Sequence, residues 1–144
     1  MTHKAKPMKY LDASIFLYYL LNPESDKTRI AAKALLMKVA DGSVHGATSV
    51  LTWDEIVWVV KKKAGFDIAK TEGSKFLEFP KLKLLDVNES VLSKSQVLME
   101  KYNLKPRDAI HAACCIENDI EEIITDDSDF DGIAGLKRIK LEHA

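Results

Sequence analysis

The 144-residue chain has few cysteines, few prolines and no long apolar run. Its two cysteines, Cys114 and Cys115, are adjacent, so they supply neither a disulfide framework nor a zinc site. The longest apolar candidate, residues 15–21, is far shorter than the roughly 20 residues that a transmembrane helix needs. The first residues, MTHKAKP, lack the apolar segment of a signal peptide. We therefore expect a cytoplasmic protein with two buried, reduced thiols.

The chain also lacks an excess of charge of one sign. The net charge is −1 although 30% of the residues are charged, which excludes the broadly basic surface of many nucleic-acid-binding domains. No internal repeat, low-complexity stretch or linker divides the sequence. We therefore predict one domain over residues 8–142, preceded by a disordered lead-in over residues 1–7.

Short apolar segments alternate with longer segments of helical periodicity. Strands are predicted near residues 8–11, 44–48, 82–87, 123–125 and 137–141, with helices between them. This order is typical of an α/β protein with a largely parallel sheet. Pro106 suits the first position of a helix, and Asn88 is expected to cap the helix before it. That earlier helix is expected to turn Val91, Leu92, Val97 and Leu98 inward.

Four carboxylates hold equivalent places in this pattern. Asp12 ends the first strand, and Glu55 lies in the first turn after the second strand. Asp108 opens the helix before the fourth strand, and Asp127 follows that strand. In a parallel sheet all four positions lie at the edge where ligands usually bind.

Convergence of these carboxylates has a chemical consequence. Like charges about 4 Å apart repel by roughly 4 kcal/mol at an effective dielectric constant near 20, so such a group protonates, separates or binds a cation. Oxygen ligands suit Mg²⁺ or Mn²⁺. A metal of this kind binds phosphate oxygens and activates water, which favours phosphodiester hydrolysis.

Each acid also has a structural interpretation. Glu55 and Thr52 have the spacing of a capping box. Asp108 complements a helix dipole, and Asp12 and Asp127 suit turns. These interpretations explain each acid alone, but they do not require four carboxylates at one edge.

Three other patterns in the sequence have simpler explanations than a catalytic or binding role. The segment from Asp127 to Gly132 matches the start of an EF-hand loop, but Arg138 stands where the bidentate glutamate is needed. His111 follows Asp108 by three residues and is more often a hydrogen-bonded packing residue than a direct participant. The lysines at 61–63 are better explained as a helix terminus than as an RNA contact.

Four segments resemble, in the same order, those of the PIN-domain ribonucleases, particularly the VapC-like toxins of toxin–antitoxin pairs. They are YLDAS at 10–14, TSVLTWDE at 48–55, PRDAIHAA at 106–113 and ITDDSDF at 124–130. The resemblance spans nearly the whole chain from Met8. It implies a three-layer α/β/α fold around a small, mostly parallel five-stranded sheet.

The resemblance also assigns roles to particular residues. It implies a catalytic set formed by Asp12, Glu55, Asp108 and Asp127, in which Asp12, Asp108 and Asp127 hold Mg²⁺ or Mn²⁺. The implied supporting residues are Ser14, Thr125 and Asp129, and Arg107 is a weaker candidate for contact with the RNA backbone. Asp126 competes with Asp127 as the last acid, although the spacing in the family favours Asp127.

The implied function is metal-dependent cleavage of single-stranded RNA by a toxin with an antitoxin partner. A homodimer is also expected, with the apolar residues 15–21 in the homodimer or antitoxin surface; ordinary core packing is the alternative for this segment. Two other functions stay open. One is an RNA-processing PIN nuclease that is not a toxin, and the other is an inactive PIN-like module that binds RNA or protein.

Overall fold

The structure is a computed structural model that describes residues 6–144. The predicted lead-in therefore lies almost wholly outside the described residues. The elements follow in the order β1 (Lys9–Leu11), α1 (Ala13–Leu21), α2 (Lys27–Asp41), β2 (Gly46–Ser49), α3 (Val50–Ala64), α4 (Phe66–Leu77), β3 (Lys83–Leu85), α5 (Glu89–Tyr102), α6 (Pro106–Glu117), β4 (Glu122–Ile124) and β5 (Lys137–Ile139). Short 3₁₀ helices cover Ser128–Phe130 and Leu141–His143. No described helix is long and apolar enough to span a membrane.

The five strands form one sheet with the order β3-β2-β1-β4-β5. Every neighbouring pair is parallel, and Tyr10 of the central strand lies opposite Ala47 on one side and Ile123 on the other. Parallel pairing requires a crossover between successive strands, which explains why helices separate them. The predicted parallel five-stranded sheet is confirmed.

Alternate residues of the central strands point to opposite faces of the sheet. Tyr10 and Ile123 pack in a core with α5 and α6, whereas Leu11 and Ile124 pack in a second core with α1 to α4. A strand buried on both faces carries apolar residues at successive positions, which these strands do. The sheet is therefore covered on both faces, as the three-layer prediction requires.

Local sequence signals set several helix ends. Asn88 caps α5 by accepting a hydrogen bond from the backbone N–H of Val91 at 3.0 Å, and Pro106 occupies the first turn of α6. Both features follow the sequence prediction.

Two local predictions are wrong. Helix α3 begins at Val50, so Thr52 lies inside the helix, where its hydroxyl bonds the Thr48 hydroxyl at 2.7 Å instead of capping. Of the four residues of α5 that were predicted to face inward, Val91 and Leu98 are buried, whereas Leu92 and Val97 are about half exposed. In both cases the local sequence pattern allows more than one arrangement, and tertiary packing selects the one that forms.

Candidate active site

The carboxyl edge of the sheet gathers residues from four elements. Asp12 directly follows β1, and Asp127 lies three residues beyond β4. Helix α3 starts where β2 ends and carries Glu55, while α6 brings Asp108 in its first turn. The four predicted acids thus come from the predicted positions.

Three carboxylates lie close enough together to share a cation. One oxygen each from Asp108, Asp127 and Asp129 lies within 4.8 Å of the others. The 3₁₀ helix that follows β4 shapes this group, because the Asp129 N–H donates to Asp127 Oδ1 at 2.9 Å. Phe130, fully buried, anchors the same short helix in the core. Asp129 therefore lies nearer the centre of the site than its predicted supporting role suggests.

Asp12 lies deeper and is held by two hydroxyls. Its Oδ2 accepts hydrogen bonds from Ser14 Oγ at 3.0 Å and from Thr125 Oγ1 at 2.9 Å. Such bonds stabilise an ionised carboxylate and fix its orientation. These are the contacts that the predicted supporting role of Ser14 and Thr125 requires. Asp12 does not belong to the three-oxygen group, although its charge acts on Asp108.

Glu55 is held by a buried histidine. His111 Nε2 lies 2.6 Å from Glu55 Oε1, and the Tyr10 hydroxyl lies 2.5 Å from His111 Nδ1. Burial raises the pKa of Tyr10 well above its usual value, so its hydroxyl stays protonated. Burial lowers the pKa of His111, but the hydrogen bond and the charge of Glu55 outweigh it, and the pKa is raised. In either charge state of the ring, Nε2–H donates to Glu55.

His111 is thus a packing residue that also reaches the site. Its side chain is only 1% exposed, yet Nε2 also lies 3.8 Å from Asp12 Oδ1. His111 follows Asp108 by three residues, so the sequence already indicated that the two share one face of α6. The partner Glu55 lies 56 positions away, and no local pattern indicates that pairing.

The other candidates lie at the rim of the site. Asp126 is exposed, and its Oδ1 accepts a hydrogen bond from the Leu141 N–H at 3.0 Å, so it is directed toward the C-terminal segment. This geometry favours Asp127 as the acid that faces Asp108. Arg107 is exposed, with Nη2 3.8 Å from Asp54 Oδ2.

Burial and the neighbouring carboxylates both change the pKa of Asp108. Burial, followed by the charges of Asp127 and Asp12, raises the pKa of Asp108 to about 6, while His111 acts in the opposite direction. The folded protein therefore disfavours the ionised form of this carboxyl. A cation that binds here would relieve the repulsion.

This shift predicts how the stability of the metal-free protein depends on pH. The folded-state pKa of Asp108 is about 6 and the ordinary value is 3.8, so folding favours its protonated form. The contribution of Asp108 to stability is therefore complete below pH 4 and is lost as pH rises to about 6. We expect Asp108→Asn to gain stability relative to wild type across this window, as measured by urea unfolding in EDTA. A stability difference that stays constant from pH 4 to pH 7 would contradict the assignment.

The fold and the site together define a class of proteins, the α/β/α sandwiches whose parallel sheet carries an acidic pocket at its carboxyl edge. The chain belongs to the PIN-domain family, whose sequence profile matches residues 9–136. This match covers most of the chain and includes all four predicted acids.

Individual relatives agree with this assignment. The ribonuclease VapC2 of Methanocaldococcus jannaschii is 26% identical over 92% of this chain and 93% of its own length. VapBC2 from Rickettsia felis, solved with a DNA fragment from its promoter, gives a TM-score of 0.70 at 18% identity over 92% of this chain and 98% of that one. VapC20 from Mycobacterium tuberculosis, described as a sarcin–ricin loop cleaving toxin, gives 0.68 at 15% identity over 88% and 95%. The two structures share the fold.

Proposed function

We propose that this protein is a divalent-metal-dependent endoribonuclease that hydrolyses phosphodiester bonds of single-stranded RNA in the cytoplasm. The observation that carries the proposal is the close group of Asp108, Asp127 and Asp129 at the carboxyl edge of the sheet. Membership of the PIN-domain family and similarity to a ribonuclease over nearly the full chain support it.

The donor set fits Mg²⁺ or Mn²⁺. All three grouped side chains offer carboxylate oxygens, and these hard donors suit hard cations rather than zinc or copper. Asp108, Asp127 and Asp129 would hold the ion, with the carboxylate of Asp12 beside them. When bound, the ion would neutralise phosphate charge and lower the pKa of a water molecule.

The surrounding residues then have distinct tasks. Ser14 and Thr125 hold Asp12 in one orientation through its Oδ2. His111 holds one oxygen of Glu55, so that the other oxygen can orient the attacking water and accept its proton. Arg107, at the rim, is positioned to contact an RNA phosphate.

Cleavage of a defined RNA tests the proposal directly. The purified protein is incubated with an end-labelled single-stranded RNA in Mn²⁺, in Mg²⁺ or in EDTA, with the matching RNA duplex and the matching DNA strand as controls. We expect internal cleavage of the single-stranded RNA only when metal is present. Absence of cleavage, together with absence of Mn²⁺ binding in calorimetry, would instead favour an inactive PIN-like module.

We further propose that the protein is a toxin restrained by an antitoxin. Helix α1 buries Ile15 and Phe16, but residues 18–21 are only partly buried. Tyr19 and Leu20 of this segment border a cavity of about 410 Å³ that residues of α1 to α4 line. Its lining includes the apolar Phe16, Leu20 and Phe79 and the charged Arg29 and Lys75. A groove of this composition suits an amphipathic peptide segment, and structural relatives include toxin–antitoxin complexes.

Growth experiments separate a toxin from an RNA-processing enzyme. Expression of the protein is expected to arrest growth, and co-expression of a small protein encoded beside it is expected to restore growth and to copurify. Leu20→Lys, which puts a charge in the groove, should weaken copurification, whereas the exposed Leu77→Lys should not. Normal growth would favour the RNA-processing alternative. The expected homodimer is tested separately, by light scattering of the free protein.

A further inference from the structure

One face of α3 extends from the active site toward the C-terminal end of the helix. Glu55, Trp58 and Lys62 are separated by three and four residues, so they share a face. Helix α4 packs on a different side, where a Cβ at Gly73 would lie 2.9 Å from Val57 Cγ2 and 3.1 Å from Trp53 Nε1. Trp58 and Lys62 therefore lie on a helix face that begins at the active site and that α4 leaves uncovered.

Exposed aromatic rings alternate with lysines along this end of α3 and the start of α4. Trp58 is 49% exposed, and Lys62 Nζ lies 5.6 Å from its ring centroid. Phe66 is 53% exposed between Lys61 and Lys70, whose Nζ atoms lie 5.0 Å and 4.6 Å from its centroid. We name these five residues the basic–aromatic strip.

The composition of the strip indicates its ligand. Proteins that bind single-stranded nucleic acid stack bases on aromatic rings and track the backbone with cations. The centres of protein–protein interfaces, in contrast, are depleted in lysine. Residues 58–70 carry four lysines and one acid, Asp67, whose carboxylate is fully exposed and 4.0 Å from Lys70. The local charge is complementary to a polyanion.

The position of the strip connects it with the acids. An α-helix rises 1.5 Å per residue, so Lys62 lies about 10 Å along α3 from Glu55. Arg107 of α6 contacts Asp54 beside the start of the strip. An RNA strand whose phosphate lies at the carboxylates would therefore place its neighbouring nucleotides over Arg107, Trp58 and Lys62.

We propose that the basic–aromatic strip binds the single-stranded RNA substrate outside the acidic pocket, with a base stacked on Trp58 and phosphates held by Lys62 and its neighbours. The proposal rests on the ribonuclease function above and adds a binding site to it. The lysines at 61–63 retain their favourable position at the helix terminus, because complementing the dipole and contacting phosphate are compatible.

Binding is measured by fluorescence anisotropy of a labelled single-stranded RNA in EDTA, and cleavage is measured separately in Mn²⁺. Trp58→Ala should weaken binding roughly 5- to 150-fold, the equivalent of one base–aromatic stack of about 1–3 kcal/mol. Trp58→Phe should keep most of the affinity, because it keeps an aromatic face. Lys62→Gln should lower the slope of log binding constant against log salt concentration by about 0.7. The matched Lys38→Gln, at an exposed position of α2, should leave this slope unchanged.

The other possible results distinguish failure of the strip from failure of the nuclease function. Unchanged RNA affinity and kcat/KM in Trp58→Ala would overturn the strip and leave the nuclease intact. RNA that binds through Trp58 but is never cleaved would contradict the nuclease and leave the strip intact. If Trp58→Ala dissociates a dimer without any change in RNA affinity, this surface binds a second copy of the chain and the proposal is overturned. A wild-type protein that binds no RNA would also overturn the proposal.

Discussion

Replacing Asp108 with asparagine is expected to reduce Mn²⁺-dependent RNA cleavage at least roughly 100-fold, on the scale of losing one preorganised electrostatic contact in an active site. The amide keeps the size of the side chain but removes a negative charge from the group it forms with Asp127 and Asp129. The first turn of α6 also retains Pro106, so the helix should form normally. Initial rates on an end-labelled RNA at saturating Mn²⁺ provide the measurement.

A matched variant separates this effect from a general change of charge. Asp119 is exposed in the turn after α6, with φ near 55°, a conformation that asparagine tolerates as well as aspartate. Asp119→Asn should therefore keep the wild-type rate. Calorimetry should show weaker Mn²⁺ binding for Asp108→Asn alone. Full activity of Asp108→Asn with an intact fold would remove this residue from the proposed metal site.

The second large effect is expected at His111. In His111→Leu, the Tyr10 hydroxyl and Glu55 both lose their partner, and each unpaired buried polar group costs about 1–3 kcal/mol. Glu55 would also lose the contact that orients it. We therefore expect a loss of stability of about 2–5 kcal/mol in urea unfolding, together with a fall in kcat that exceeds any change in KM.

Conservative variants distinguish positioning from packing. The amide of His111→Gln can replace Nε2 as the donor to Glu55, so this variant should recover more kcat than His111→Leu. Tyr10→Phe removes the outer hydrogen bond but leaves the bond between His111 and Glu55, so its kcat should change least. Equal kcat values for the leucine and glutamine variants would show that His111 contributes only to packing.

The sequence predicted the sheet and the edge that bears the acids because both depend on local order. Alternating strands and helices specify a parallel sheet, and residues that end strands or begin helices then meet at one edge. Asp12 and Asp108 are examples, since a strand end and a helix start each have a recognisable pattern. The family segments in the same order agree with this arrangement.

Contacts between distant residues could not be predicted in the same way. The pair Glu55 and His111 joins two helices 56 positions apart, and Thr125 reaches Asp12 across 113 positions. The Thr-x-x-Glu pattern predicted a local capping role, but β2 runs directly into α3 and the helix starts earlier. The close approach of Asp129 to Asp108 likewise depends on a 3₁₀ turn that has no strong sequence signal.

The order of the strands has a consequence for protein synthesis. Of the five strands that the structure describes, the central strand β1 is made first, yet one of its two neighbours, β4, is made fourth. A nascent chain that ends before α6 has neither Asp108 nor Asp127, and Asp12 still lacks the hydroxyl of Thr125. Such a chain has no complete acidic pocket. The proposed RNA cleavage therefore requires α6, β4 and the segment with Asp127 to have been made, and a shorter nascent chain is expected to leave RNA intact.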